Sequence, residues 1–97
     1  MARNWDPKAE PYRVRWTYSC GHGMINWFDN VKTFATRDEA IGAAMGAPPE
    51  KRGLLSITVD KIVGANHWPT ARWERIARRS VRRGDAELKY AKKGLPL

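Results

Sequence analysis

Residues Tyr12–Ser19 alternate without a break. Tyr12, Val14, Trp16 and Tyr18 fall at one parity, and Arg13, Arg15, Thr17 and Ser19 at the other. A period of two over eight residues, rich in aromatic and β-branched types, specifies a strand with one apolar and one polar face. That commits the chain to a sheet, and the neighbouring segments supply its partners. Cys20-Gly21-His22-Gly23 reads as a hairpin loop, because two glycines supply positive φ at little cost. A second strand is expected over 24–28, with Ile25 and Trp27 inward. Asp29-Asn30 breaks it, and 31–34 continues it after a bulge or turn.

Thr36-Arg37-Asp38-Glu39 fits a capping box, in which the Thr36 hydroxyl and the Glu39 carboxylate each bond the other's backbone amide. Ala40, Ile41, Ala44 and Met45 then mark one face of a helix that Gly46 and Pro48-Pro49 stop. Residues 54–63 read as a third strand with Leu55, Ile57, Val59 and Val63 buried. Over 71–83 the period becomes helical. Trp73, Ile76, Ala77, Ser80 and Val81 occupy an arc of about 140°. Arg72, Arg75, Arg78, Arg79, Arg82 and Arg83 occupy the opposite one. Asp85 is the expected N-cap of a short last helix over 86–93.

The expected fold class is therefore α+β: a small three-stranded sheet in the order β-β-α-β with one packed helix. An arginine-rich amphipathic C-terminal helix and a short last helix follow it. Residues 1–11 read as an N-terminal arm, 12–69 as the core and 70–97 as a basic helical segment, within one domain. A crossover through the capped helix sets the third strand parallel to the second.

The chain has 97 residues and a net charge of +8. Residues 1–69 carry nine basic and seven acidic side chains; residues 70–97 carry nine basic and three acidic ones. Cations crowded on one helix face repel each other unless an anionic partner relieves them. Arginine in that role favours phosphate, which guanidinium binds bidentately. The candidate nucleic-acid contacts are Arg72, Arg75, Arg78, Arg79, Arg82 and Arg83, extended by Lys89, Lys92 and Lys93, with Arg13 and Arg15 on the outer sheet face. Trp5 and Trp68 are candidate partner contacts, while Trp16, Trp27 and Trp73 read as packing residues. A non-enzymatic nucleic-acid-binding protein is the expected function, with DNA preferred over RNA. The alternative is a module that grips an acidic protein through the same arginines.

Catalytic and metal chemistry find little support. Cys20, His22 and His67 give only three candidate zinc ligands without paired spacing, and no nucleotide-binding glycine loop occurs. No catalytic residue and no cofactor are expected. A single cysteine leaves no intramolecular disulfide. No apolar run is long enough to span a membrane, and Met1 to Pro7 lacks the apolar stretch of a secretory signal. A cytoplasmic location is expected.

The Arg- and Trp-rich strand Tyr12–Ser19, the helix entry Phe34-Ala35-Thr36-Arg37-Asp38-Glu39-Ala40 and the basic C-terminus together resemble small orphan accessory proteins of bacteriophages that infect high-GC actinobacteria. The resemblance implies binding to nucleic acid or to a host protein, and transfers no individual functional residue.

Overall fold

The structure is a computed structural model that describes residue 6 and residues 8–19, 27–63 and 72–91, with only the backbone of residue 27. The alternating segment forms β1 (Tyr12–Ser19), with Val14, Trp16 and Tyr18 buried. Its partner β2 (Trp27–Phe34) runs antiparallel to it, Ser19 facing Trp27 and Tyr12 facing Phe34. The chain does not break at Asp29-Asn30, as the sequence suggested. Asp29 lies opposite Thr17 and accepts a hydrogen bond from its hydroxyl at 2.7 Å, so a residue that usually favours turns is satisfied inside a strand.

The capping box forms as read from the sequence. Thr36 Oγ1 accepts from the Glu39 amide at 3.2 Å, and Glu39 Oε1 accepts from the Thr36 amide at 3.2 Å. It opens α1 (Arg37–Met45), which buries Ala40 and Ala44 and half-buries Ile41. Met45 points to solvent instead of the core. Alanines at the interface let the helix lie close against β1, β2 and β3.

β3 (Leu54–Ile62) pairs with the other edge of β1, so β2 and β3 run parallel to each other with β1 between them. Ile57 and Val59 enter the core opposite Trp16 and Val14, while Leu55 is half-buried and Val63 exposed. Leu55 is the extra residue of a bulge, since Thr17 faces Ser56 and Tyr18 faces Leu54. Its freed carbonyl accepts from the Arg82 amide at 3.0 Å.

Among the described residues the expected C-terminal helix pair is absent, which overturns the expected fold class. Residues read as an arginine-faced helix form β4 (Trp73–Ser80), antiparallel to β3. Of the residues read as a short last helix, Lys89 and Tyr90 form β5 (Lys89–Tyr90), paired with β4. The described residues form a five-stranded antiparallel sheet, order β2-β1-β3-β4-β5, with one helix on one face. The helical spacing of this strand has a definite cause. Val59 faces Ala77 and Asp60 faces Arg75, which leaves Ile76 as a bulge residue. One extra residue shifts the phase of an alternating strand. Trp73, Ile76, Ala77 and Ser80 then fall at i, i+3, i+4 and i+7, which is the helical template. The choice is made by the edge of β3, whose backbone groups need partners. Asp85 caps no helix. It closes the β4–β5 connection by accepting from the Ser80 amide at 2.9 Å.

One core joins Val14, Trp16, Tyr18, Ala40, Ala44, Ile57, Val59, Ala77 and Leu88. The Tyr18 ring stacks on Phe28, and its hydroxyl donates to Glu50 O at 2.8 Å and accepts from Glu50 N at 3.0 Å. A buried phenol thereby anchors the α1–β3 connection, each bond worth about 1 kcal/mol net. Gly53 ends that connection at φ 82°, where a Cβ would also sit 3.0 Å from Ser19 O. Gly53→Ala should therefore cost about 2 kcal/mol in denaturant unfolding. Gly42→Ala, in open space on α1, should stabilise by about 0.5–1 kcal/mol. Equal midpoints for the two variants would refute this assignment.

A candidate anion-binding sheet face

Strand pairing places cross-strand partners on the same side of a sheet. The side away from α1 thus carries Arg13, Arg15 and Thr17 from β1, Ser56, Thr58 and Asp60 from β3, and Arg75, Arg78 and Ser80 from β4. These residues lie in rows across the strands. Thr33, Arg13, Asp60 and Arg75 form one row; Val31, Arg15, Thr58, Arg78 and Lys89 form the next.

The first row is internally compensated. Asp60 is only 2% exposed. It accepts from Arg13 Nε at 3.0 Å and from Arg75 Nε at 3.4 Å. Arg13 reaches across β3 and lays its guanidinium 4.1 Å from the centroid of the Trp73 ring. Burial holds Arg13 below the ordinary arginine range. The bond to Asp60 opposes that effect, and repulsion from Arg15 and Arg75 adds to it. Thr33 donates to Glu10 at 2.8 Å, bringing a second carboxylate to this row.

The second row is different. Neither Arg15 nor Arg78 forms an ion pair with a described residue, and the residue between them is a threonine. Thr58 is 5% exposed, yet among the described residues its hydroxyl has no hydrogen-bond partner, nor does the buried Arg15 Nε. Lys89, at the end of the row, pairs with Asp85 at 3.1 Å.

The arginines assigned to one helix face are thus dispersed. Arg75 and Arg78 lie on this side of β4. Arg79 lies opposite Ile57 on the core side, and its Nε donates to Asp85 O at 2.9 Å. Arg72 is exposed just before β4, and Arg82 and Arg83 are exposed in the turn that follows. Arg13 and Arg15, secondary candidates in the sequence, sit at the centre of the face. Thr58 and Asp60 carried no signal on their own. Lys92, Lys93, Trp5 and Trp68 lie outside the described residues, as do Cys20, His22 and His67. Among the described residues no helix is long and apolar enough to cross a membrane.

Two expectations follow. Asp60→Ala leaves Arg13 covered and unpaired, and should cost about 2–3 kcal/mol. Combining it with Arg13→Ala should recover part of that loss in a double-mutant cycle, and strict additivity would contradict the pairing. The second concerns Asp85, whose carboxyl is held below the usual range by the Ser80 amide and then by Lys89. A folded-state value below the unfolded one, about 3.9, stabilises above that value. The contribution is lost as pH falls through the folded value. The amide resonances of Ser80 and Lys89 should therefore shift below about pH 4 before the core resonances move. A titration midpoint at or above the unfolded value of about 3.9 would contradict it.

Compared with known proteins, the chain matches no protein-family model, no curated protein and no solved structure.

Proposed function

We propose that the protein binds nucleic acid without catalysis, through phosphate contacts on the sheet face built from β1, β3 and β4. The observation that carries this reading is the uncompensated pair of arginines, Arg15 and Arg78, on either side of Thr58. Guanidinium groups in this setting favour a doubly hydrogen-bonding oxyanion over a simple counter-ion. Exposed Arg72, Arg82 and Arg83 extend the cationic surface beyond both ends of β4.

The geometry also bears on the form of the nucleic acid. Arg75, Arg78 and Arg79 lie on a strand, so they do not form the arginine-faced helix that could enter a major groove. Five strands at about 4.8 Å spacing make a sheet about 19 Å across, wider than a major groove of about 12 Å. A single-stranded segment can follow such a face with its backbone. DNA is the first partner to test, with RNA of the same sequence beside it, since phosphate contacts alone do not read the sugar.

Binding to a random single strand should depend steeply on salt. Three or four phosphate contacts give a log–log slope of about −2 to −3, or a loss of about 20–50-fold between 50 and 200 mM salt. The same sequence as a duplex should bind more weakly. A flat salt response, or no binding at low salt, refutes the proposal.

A further inference from the structure

We infer that Arg15, Thr58 and Arg78 form a discrete seat for a single phosphate group, and that Arg13 and Arg75 are excluded from it by Asp60. The inference rests on the proposed function only for the source of the phosphate.

Three observations converge on the same row. First, Arg15, Thr58 and Arg78 are direct cross-strand partners, so their side chains project together from one side of the sheet. The Cα atoms of the two arginines are then about 10 Å apart across β3, two strand spacings. Long guanidinium side chains close such a span around one oxyanion. Second, two buried polar groups in this row lack partners among the described residues: the Thr58 hydroxyl and Arg15 Nε. Buried polar groups are nearly always hydrogen-bonded, and two orphans side by side call for an explanation. Both can donate, and a phosphate oxygen would accept from both. Third, the charge is available. Asp60 bonds Arg13 and Arg75. Asp85, the carboxylate at the Lys89 end of the second row, is engaged by Lys89 and the Ser80 amide, although Arg78 lies within its field. Arg15 and Arg78 are half-buried, so their outer ends meet solvent.

Thr58 separates function from folding. Thr58→Val keeps shape and β-branching but removes the orphan hydroxyl. It should raise Tm, because an unsatisfied buried group is removed, while weakening phosphate binding. A residue important only to the fold would not move the two readouts in opposite directions.

The test uses the full chain. Inorganic phosphate is titrated at constant ionic strength, with chloride as the reference, and the backbone amide of Thr58 and the Arg15 Nε–H are followed by NMR. In parallel, a single-stranded oligonucleotide is bound to the native protein and to Arg15→Gln, Arg78→Gln, Thr58→Val and Lys51→Gln. Lys51 is exposed on the α1–β3 connection and controls for loss of one charge. Phosphate should shift the Thr58 and Arg15 resonances where chloride does not. The three seat variants should each lose about 5–10-fold in oligonucleotide affinity, and Lys51→Gln less than about twofold. If phosphate moves neither resonance and the seat variants bind the oligonucleotide like the native chain, the seat is refuted while nucleic-acid binding stands. If phosphate moves both resonances but no oligonucleotide binds, the seat stands for free phosphate or a phosphomonoester, and the proposed function falls.

Discussion

β3 is hydrogen-bonded along both edges, to β1 on one side and β4 on the other, and most of the molecule is organised by that placement. Its alternation sends Ile57 and Val59 under the helix. Thr58 and Asp60 go to the opposite side, where they separate arginines contributed by two different strands. The two are close in size but not in effect. A carboxylate in the middle of a row consumes the charge of its neighbours, whereas a hydroxyl leaves it available.

The two faces of the sheet therefore answer different physical demands. The helix side is closed by Val14, Trp16, Tyr18 and the alanines of α1. The other side buries polar groups beneath the stems of long cationic side chains, an arrangement that is stable only where each charge finds a partner. Asp60 meets that need for Arg13 and Arg75, and Trp73 adds a ring beneath Arg13. Among the described residues no equivalent group serves Arg15 and Thr58. That imbalance within one face, more than the total charge of the chain, argues for an external anion.

The parts of the fold that were legible beforehand depend on neighbours in sequence. An uninterrupted period of two identified β1, and a cap formed within four residues identified the start of α1. Asp29-Asn30 was misread because the group that satisfies Asp29 is Thr17, on another strand. β4 was misread because the bulge at Ile76 gives a strand the spacing of a helix. β5 spans two residues, too few for any period to show. The same limit applies to the candidate site. Arg13 and Arg15 could be placed on an outer face from β1 alone. The row through Arg15, Thr58 and Arg78 depends on two registers, between residues 43 and 20 positions apart in sequence, which no local pattern encodes.

By itself, then, the sequence determined a β1 with an apolar and a cationic side, a capped helix to cover the apolar side, and an excess of arginine after residue 69. Tertiary structure decided that those arginines lie on a strand and not on a helix. It also decided which are neutralised, and which two flank a hydroxyl without a partner. The physical reason is that helix hydrogen bonds close within four residues, whereas a strand is completed by whichever distant edge offers unpaired backbone groups. Here that edge belonged to β3.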